Sequence, residues 1–376
     1  MIWSRRTTPI GVEPVTMGYR LKIGLDVAPL HYPYSGVRSY VEALIEASRN
    51  RDSAIDFVPV ASSSWLLPTS SRLSRIMWDL HGMGRTAREA GVDVLHVPRF
   101  AAPRRFDGPL VVTVHDLIPL QLQEYRASRP ARVQSELARM VVPRATRVIV
   151  PSCYVAQTVH ELLHVDRARI DVIPMGVSPV ACTHLAPSLS GPYLLHTGGF
   201  DARKNLPMLL EAFARAAREL GPAWRLVLVG APHSENPIVY PSVEPVIERL
   251  GLADRVVRTG RISERDKHAL YAHASIVVNP SISEGFGLPI LEAMTHGVPV
   301  IASDRTSHPE VAGDAALLVE PTVDAFAEAM LLLGSNHRLR ADMSAKGKIR
   351  AAEFPWSRTA GSTIETYRKA LGALFH

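Results

Sequence analysis

The sequence predicts an α/β protein with two doubly wound domains, each a parallel β-sheet with helices on both faces. Short apolar and β-branched runs alternate with helical patterns along the chain, as in consecutive βαβ units. The length of 376 residues exceeds what one ordinary core fills and suits two domains. The order of strand, glycine turn and helix starts again after Ser178 to Pro192, a segment rich in Pro, Ser and Gly that we interpret as the linker.

The composition indicates a cytoplasmic protein. The two cysteines, Cys153 and Cys182, show neither metal-ligand spacing nor a pairing signal, so we expect a reducing compartment and ordinary packing roles for both thiols. Residues 1–18 lack the apolar stretch of a secretory signal, and we expect them to be a disordered lead-in. No run of about 18 apolar residues is present, so no membrane-spanning helix is expected.

The net charge of +6 fits a nucleic-acid-binding protein, a protein at an anionic membrane or an enzyme that binds phosphate groups. No nucleic-acid motif supports the first class, and we expect no nucleic-acid partner. Arginines cluster twice in the first half of the chain. We interpret each cluster as a solvated face, with a peripheral contact to the inner face of an anionic membrane as the second interpretation. The clusters are Arg72, Arg75, Arg85 and Arg88, and Arg126, Arg129, Arg132 and Arg139.

In the first domain a β-strand is predicted at Tyr19 to Asp26, followed by a Pro/Gly loop and a helix over Val37 to Ala47. Ser152 suits the N-cap of a later helix. The further strands predicted in this domain are Asp56 to Val60, Asp93 to Val97, Leu110 to Val114, Arg147 to Val150 and Ile170 to Ile173.

His115 and Asp116 directly follow the buried strand Leu110 to Val114. An isolated His-Asp pair is usually structural, but the carboxyl end of a parallel strand is where open α/β sheets bind ligands. We therefore expect His115 to face a cleft between the two domains. His96 and Arg99 lie at the end of the preceding strand, and we expect structural roles for them.

The second domain begins with a predicted strand at Tyr193 to Thr197, and the glycine turn after it carries Arg203 and Lys204 just before a helix. A planar guanidinium and an ammonium at a helix start form a phosphate clamp, although surface Arg-Lys pairs are also common. Asn205 or Asp201 is predicted to cap this helix. Further strands are predicted at Trp224 to Gly230, Val256 to Thr259, Ser275 to Asn279, Val298 to Ala302 and Ala315 to Val319.

The stretch from Asn279 to Ser303 predicts a ligand site at the carboxyl end of a strand. Gly285 and Gly287 allow the backbone of its loop to approach a ligand closely, and Pro289 suits the first turn of the following helix. The free amides at this helix start favour an anion such as a diphosphate.

Glu284 lies in this loop and Glu292 about one turn into the helix, so the two carboxylates lie on either side of the amides. Because helix side chains lean toward the N-terminus, Glu292 can accept two vicinal hydroxyls while Glu284 faces the group beyond the phosphate. A ligand that fits this order of groups carries two vicinal hydroxyls, then a diphosphate, then further hydroxyls. A nucleotide sugar has this order. Each glutamate taken alone also fits a solvated surface position.

The string Glu284-Gly-Phe-Gly-Leu-Pro-Ile-Leu-Glu292 resembles the signature of retaining glycosyltransferases of the family 4 type. The resemblance implies their GT-B fold, which has two Rossmann-like, doubly wound domains with an interdomain cleft. It implies that Glu292 binds the ribose of the donor and that Glu284 contacts the transferred sugar. It also implies that the amides around Phe286, Gly287 and Leu288 hold the diphosphate.

Two further segments that carry charged residues resemble this family. The segment VTVHDLIPL is similar to the family's His-Asp segment, which implies that His115 lies beside the transferred sugar. The glycine turn before Arg203 and Lys204 resembles the family's GGxxxRKN loop, which implies that both cations bind the diphosphate. Gly199 stands where many relatives have arginine, so these two cations would carry the diphosphate charge between them.

Three weaker resemblances complete the pattern. Ser35-Gly36-Val37-Arg38 resembles the family's first glycine loop, which implies a contact of Gly36 with the donor phosphate. Ser35 replaces the usual second glycine, and a glycine that serves the turn alone is an equal alternative. The turn Gly260-Arg261-Ile262 resembles the place where relatives hold the base edge with backbone groups. The segment Phe354 to Leu371 looks like the family's last helix, which crosses back onto the first domain.

The resemblance implies transfer of a hexose, mannose or rhamnose-like, with retained anomeric configuration to a hydroxyl acceptor. It leans toward surface polysaccharide or glycolipid assembly on carbohydrate or lipid-linked acceptors, with a GDP-sugar as the first donor and a UDP-sugar as the second. Since no Asp-x-Asp element is present, we expect no metal and no cofactor besides the donor. An inactive sugar-nucleotide-binding or scaffold protein of this fold is the alternative; an NAD-linked dehydrogenase would need a Gly-x-Gly-x-x-Gly turn, which is missing.

We divide the chain accordingly. The predicted parts are a lead-in at 1–18, an acceptor-side domain at 19–178, a linker at 179–192, a donor-binding domain at 193–355 and a terminal helix at 356–376.

Overall fold

The computed structural model describes residues 20–31, 36–49, 55–61, 77–126, 129–178, 191–232 and 234–373. The predicted lead-in, most of the predicted linker, Ser35, Arg72, Arg75 and Cys182 lie outside these residues. The described residues form two six-stranded sheets in which every pairing between strands is parallel. The predicted pair of doubly wound α/β domains is therefore confirmed.

The first sheet lies within the predicted acceptor-side range. Its strands are β1 (Leu21–Asp26), β2 (Ile55–Val60), β3 (Val94–Val97), β4 (Leu110–Thr113), β5 (Arg147–Val150) and β6 (Ile170–Val172). They lie in the order β2-β1-β3-β4-β5-β6. All residues of β3 and β4 are buried, as expected for central parallel strands that helices cover on both faces.

The second sheet lies within the predicted donor-binding range. Its strands are β7 (Tyr193–Thr197), β8 (Arg225–Val229), β9 (Val256–Gly260), β10 (Ile276–Asn279), β11 (Val300–Ser303) and β12 (Leu317–Val319). Their order is β12-β11-β10-β7-β8-β9. The order of the strands reverses between β7 and β10, and ligands bind at the carboxyl ends of strands at such a reversal.

Helices cover the two sheets, and α1 starts and ends within two residues of its predicted range. Those of the first half are α1 (Gly36–Arg49), α2 (Met83–Glu89), α3 (Ile118–Gln121), α4 (Gln123–Arg126), α5 (Arg129–Val141) and α6 (Cys153–Leu163). Those of the second half are α7 (Leu206–Leu220), α8 (Glu244–Arg249), α9 (Glu264–His273), α10 (Leu288–Thr295), α11 (His308–Ala312), α12 (Val323–Ser335), α13 (His337–Ala352) and α14 (Trp356–Gly372).

Helix α7 shows why these segments are helical. Its buried residues include Leu206, Leu209, Leu210 and Phe213, a spacing that places them on one face of an α-helix. This face packs in the core of the second domain with Phe326 and Met330 of α12.

The last helix, α14, packs on the first domain, as its resemblance implied. The Tyr367 hydroxyl lies 2.7 Å from His96 Nδ1, and Thr359 Oγ1 donates to the carbonyl of Pro174 at 2.8 Å. His96 Nε2 lies 2.8 Å from Thr113 Oγ1, so both ring nitrogens are used inside the protein. Burial lowers the pKa of His96 to about 3, and the structural role expected for this histidine fits these contacts.

Two predictions about helix starts have opposite outcomes. Ser152 caps α6, since its Oγ accepts from the amide of Val155 at 3.2 Å. The predicted cap of α7 is wrong: Asn205 occupies the N-cap position with a left-handed φ of 55°, and its side chain makes no capping hydrogen bond. The Asp201 side chain does not cap either, because its carboxylate is held by Arg203.

Of two predictions about the surface of the first domain, the one about Cys153 is wrong and the one about the arginine clusters agrees with the structure. Cys153 is exposed at the start of α6, so the packing role expected for its thiol is wrong. Arg85 pairs with Glu89 and Arg139 with Glu136, both at 2.7 Å between exposed side chains, as expected of solvated faces. In the described part of the chain no helix is both long and apolar enough to cross a membrane.

Candidate active site

A cavity of about 730 Å³ lies between the two domains. The first domain and α14 contribute Gly36, Ser39, Gly176, Val177, Ser178 and Trp356 to its lining. The second domain contributes the turns after β7, β8 and β9 and the starts of α9 and α10, with Thr197, Gly198, Gly199, Arg203, Lys204, Val229, Gly230, Ala231, Arg261, Ile262, Glu264, Lys267, His268, Leu288, Pro289 and Glu292. The volume suits a ligand larger than a simple sugar.

The strand order explains why these loops meet. Strands β7 and β10 are neighbours in the sheet, although 78 residues of the chain lie between the last residue of β7, Thr197, and the first residue of β10, Ile276. The turn that carries Arg203 and Lys204 follows β7, and the loop that carries Glu284 follows β10. Both therefore emerge at the same edge of the sheet, at the reversal of strand order.

Glu284 forms ion pairs with both predicted phosphate-binding cations. Arg203 Nη1 lies 2.6 Å from Glu284 Oε2, and Lys204 Nζ donates to Oε1. Arg203 Nε also lies 2.9 Å from Asp201 Oδ1. Burial alone would raise the pKa of Glu284, but the charges of Arg203 and Lys204 outweigh it and hold this pKa well below its usual range. The carboxylate is thus ionised and neutralises two nearly buried cations.

The Glu284 loop also forms part of the contact between the domains. A Cβ atom on Gly285 would lie 1.8 Å from the carbonyl oxygen of His115, so only glycine fits this approach. Ser152 Oγ donates to the Gly285 carbonyl at 2.7 Å. Nearby, the Tyr125 hydroxyl donates to Asp201. These contacts place His115 of the first domain directly beside the loop of the second.

His115 presents an unused nitrogen at this contact. Its Nε2 is buried and has no hydrogen-bond partner among the described residues. Its ring packs edge-on against Tyr40 at 5.0 Å between centroids. Burial lowers the pKa of His115 to about 4, so the ring is neutral at pH 7. A neutral, unsatisfied imidazole is suited to a polar ligand rather than to an ion pair.

Glu292 lines the cavity and is held in place by two partners. Lys267 Nζ donates to its Oε1 at 3.0 Å, and the Tyr271 hydroxyl donates to its Oε2 at 2.9 Å. Tyr271 is also 2.5 Å from Thr197 Oγ1, so the end of β7 is connected to the helix that carries Glu292. The carboxylate keeps lone pairs for a ligand and is oriented toward the cavity by these contacts.

We expect Glu292→Gln to weaken free nucleoside diphosphate and the intact donor alike, because both carry the ribose that this carboxylate is predicted to bind. The loss should be about 1.5–3 kcal/mol, the value of a hydrogen bond to a charged group. Calorimetric titration of both ligands measures it, with the exposed Glu328→Gln as the matched control. If the affinity for free nucleotide were unchanged, the assignment of Glu292 to the ribose would be wrong.

The other predicted donor-binding residues divide into two groups. Gly36, Ile262 and Leu288 line the cavity, and their contact with a donor stays a prediction. Phe286 and Gly287 are not part of the lining: the Phe286 ring is buried 6.0 Å from Phe354, and Gly287 has a φ of +107° at the start of α10. Their predicted role depends on backbone amides, and it stays a prediction.

Two residues that the sequence did not single out, Thr306 and Ser307, hold the Glu284 loop in place. Thr306 Oγ1 accepts from the Glu284 amide at 3.1 Å, and Ser307 Oγ donates toward the carbonyls of Glu284 and Phe286 at 3.0 and 2.8 Å. These residues follow β11, whose carboxyl end lies beside that of β10. The rule that singled out His115, polar residues after a buried strand, would also have found them.

Comparison with known proteins identifies the family. The model of glycosyl transferases group 1 matches residues 185–350, and that of glycosyltransferase family 4 matches residues 34–180. The O-antigen chain mannosyltransferase B of Escherichia coli is 31% identical over 93% of this chain and 100% of its own length.

Two solved structures share the fold. Sucrose-phosphate synthase from Thermosynechococcus elongatus has a TM-score of 0.74 at 22% identity, covering 94% of this chain and 100% of its own. HepE of Anabaena, in complex with UDP and glucose, has a TM-score of 0.69 at 20% identity, covering 93% of this chain and 100% of its own. With family models on both halves and a relative matched over its whole length, the chain belongs to the glycosyltransferases of the family 4 type, has the GT-B fold and is mannosyltransferase-like.

Proposed function

We propose that this glycosyltransferase moves a hexose, mannose or a rhamnose-like sugar, from a nucleoside diphosphate donor to a hydroxyl acceptor with retention of the anomeric configuration. The observation that carries the proposal is the cluster of Glu284, Arg203 and Lys204 at the start of α10, beside an interdomain cavity that Glu292 lines. Two cations, free helix amides and two carboxylates match the diphosphate, sugar and ribose of a nucleotide sugar.

The ion pairs suggest how the donor would be received. Arg203 and Lys204 both contact Glu284, and a diphosphate arriving at the start of α10 would compete for these two cations. The Glu284 carboxylate would then be free to turn toward the sugar. The cations and helix amides would stabilise the leaving diphosphate as its charge develops, so we propose a reaction that needs neither a metal nor a further cofactor.

The domain contact supports a role for His115 in the same step. Its buried Nε2 lies in the first domain beside the Gly285 backbone, so it meets the donor only when the domains are together. We assign it to a hydrogen bond with the transferred sugar. The acceptor would approach from the first domain, which forms the opposite side of the cavity.

The relatives guide the choice of donor and acceptor. The Escherichia coli relative is an O-antigen chain mannosyltransferase, which supports mannose as the sugar. A GDP-linked donor and surface polysaccharide or glycolipid assembly are our first choice. HepE of Anabaena was solved with UDP and glucose, which keeps a UDP-sugar as the second donor. A carbohydrate or lipid-linked acceptor, a cytoplasmic location and a peripheral contact with the inner face of an anionic membrane belong to this proposal.

The alternative is a catalytically inactive protein that binds a sugar nucleotide as a scaffold. It would keep Arg203, Lys204 and Glu292 for binding but would have no need of His115. Hydrolysis or transfer from any one of a panel of GDP- and UDP-hexoses separates the two, because an inactive protein releases no nucleoside diphosphate.

The binding site itself is tested by thermal unfolding with GDP or UDP in the presence of a chelator. We expect protection without added metal, since amides and two cations form the phosphate site. Arg203→Ala should weaken the nucleoside diphosphate by roughly 10- to 100-fold and leave the nucleoside unaffected. The control is Arg215→Ala, an exposed arginine on α7 that pairs with Asp324. Protection that requires magnesium or manganese would contradict the metal-free site.

A further inference from the structure

Unsatisfied polar atoms are concentrated around the Glu284 loop. Six buried side-chain nitrogen or oxygen atoms lack a hydrogen-bond partner within the described ranges. Trp78 Nε1 is one of them, and it lies in the first domain. The other five belong to residues of the loop or of the strands and segments that touch it, namely His115, His196, Asn279, Ser283 and His308. Since buried polar groups are normally satisfied, these five atoms can form further hydrogen bonds, and a bound ligand is one source of partners for them.

His308 has the best-defined geometry of the five. It begins α11 and is fully buried. Its Nδ1 lies 2.9 Å from Ser303 Oγ and 3.2 Å from the Ser303 carbonyl oxygen. Ser303 Oγ donates its own proton to the Ser281 carbonyl at 2.5 Å, so the proton between Ser303 and His308 must come from Nδ1. The neutral ring then leaves Nε2 as a hydrogen-bond acceptor.

The unsatisfied Nε2 lies close to the start of α10, where the diphosphate is predicted to bind. It is 3.6 Å, and the neighbouring Cδ2 3.1 Å, from the position that a Cβ atom on Gly287 would occupy. The charges of Glu284, Lys204 and Arg203 all act on the ring, and burial, the largest effect, lowers the pKa of His308 to about 4. The ring therefore stays neutral at pH 7, between the helix start and the Glu284 carboxylate.

Because Nε2 can only accept a hydrogen bond, most of the groups near it cannot be its partner. A phosphate oxygen is itself an acceptor and offers no proton to Nε2. Arg203 and Lys204 can donate, but both are engaged by Glu284 and are predicted to move to the diphosphate. A hydroxyl group donates a proton and is carried by every hexose, so it satisfies the nitrogen without adding charge.

We infer that Nε2 of His308 accepts a hydrogen bond from one hydroxyl group of the transferred hexose, which makes His308 a specificity-determining residue. This inference rests on the proposed function, because it requires a nucleotide sugar in the site. The transferred sugar would then have three contacts, with Glu284, His115 and His308. The contact selects for a hydroxyl at one ring position and against a donor that lacks it.

Two substitutions separate this contact from a purely structural role. His308→Asn keeps a donor near the position of Nδ1 for Ser303 and removes the acceptor at Nε2. His308→Gln keeps an amide oxygen near the position of Nε2. We expect His308→Asn to lower affinity for the nucleotide sugar about tenfold and to leave free nucleoside diphosphate unchanged. His308→Gln should restore most of the loss.

The hydroxyl is identified with deoxyfluoro donors, since fluorine replaces the hydroxyl but donates no proton. GDP-mannose and UDP-glucose are titrated first, and the better ligand is then compared with its 2-, 3-, 4- and 6-deoxyfluoro forms. Wild-type protein should lose about tenfold affinity for one of these forms. His308→Asn should show no additional loss for that same form, because the partner of the hydroxyl is already missing. Unfolding temperatures of both variants monitor the fold.

Four results would overturn the inference. One is an equal loss of free nucleoside diphosphate and nucleotide sugar in His308→Asn, which would mean that the residue only supports the loop. Another is that, for every deoxyfluoro form, the loss of affinity from fluorine adds to the loss from His308→Asn. This would mean that a buried water, rather than a sugar hydroxyl, satisfies Nε2. If wild-type protein binds nucleoside diphosphates but no nucleotide sugar, the proposed function fails as well. If wild-type protein binds both ligands and neither variant changes their affinity, the inference about His308 fails while the proposed function stands.

Discussion

Glu284→Gln is expected to lower the rate of sugar transfer strongly while strengthening the binding of free nucleoside diphosphate. In the structure the Glu284 carboxylate neutralises both Arg203 and Lys204, so a diphosphate must compete with it for these cations. The neutral amide removes the competitor. From the sequence alone we would expect Glu284 to matter little to free nucleotide, and the ion pairs revise this expectation to a gain in affinity.

The loss of turnover should be large for a separate reason. Glu284 is the predicted carboxylate beside the transferred sugar, where positive charge develops in the transition state. Removing one such electrostatic contact costs roughly 100- to 1,000-fold in turnover. Initial rates with the intact donor and calorimetry with GDP or UDP measure the two effects. A variant that loses free-nucleotide affinity and turnover together would contradict the competition between Glu284 and the diphosphate.

The same substitution should destabilise the protein. Removing one partner of a buried ion pair costs about 3–5 kcal/mol, and here Lys204 loses its carboxylate partner while Arg203 keeps Asp201. Nucleoside diphosphate should restore much of this loss, since it supplies the missing negative charge. The exposed Glu211, which pairs with Arg249 at 2.7 Å, provides the control variant Glu211→Gln, for which surface ion pairs predict a small effect.

The pH dependence of stability follows from the lowered pKa of Glu284. Its folded pKa lies below the unfolded value of about 4.3, so its contribution is complete above that value and is lost as pH falls through the folded pKa. The stability difference between wild type and Glu284→Gln should therefore shrink below about pH 4. Urea unfolding of both proteins from pH 7 to pH 3 tests this directly.

His115→Ala should lower turnover about 100-fold or more while changing donor affinity only a few-fold. The reason is the position of His115 on the first domain, beside the Gly285 backbone, where we propose that it contacts the sugar only in the closed site. Its Nε2 is buried, neutral and unsatisfied, so the substitution removes a contact that forms in the reaction rather than one that holds the fold.

The measurement is turnover against donor affinity for His115→Ala, with the exposed His337→Ala as the matched control. His115→Asn adds a test of hydrogen bonding, since its amide keeps part of the polar function. Turnover equal to that of wild type would return His115 to a structural role. A parallel fall in unfolding temperature and turnover would have the same meaning.

Local pattern was enough to predict most of the elements. Buried strands such as β4 and β10 are continuous apolar runs bounded by turn residues, and this signal needs no tertiary context. The cap at Ser152 was predictable because it depends on one side chain and an amide three residues away. The cap predicted at Asn205 is absent, because the Asn205 backbone is left-handed and its side chain makes no capping hydrogen bond.

The sequence by itself determined the two doubly wound domains, the family and the separate presence of Glu284, Glu292, Arg203, Lys204 and His115 near strand ends. Only the tertiary structure decided their partners. Glu284 is 80 residues from Lys204, and the two meet because β7 and β10 are neighbours in the sheet. The role that we infer for His308 depends on the same kind of placement. Side-chain partners across a parallel sheet follow from strand order, which periodicity along the chain does not encode.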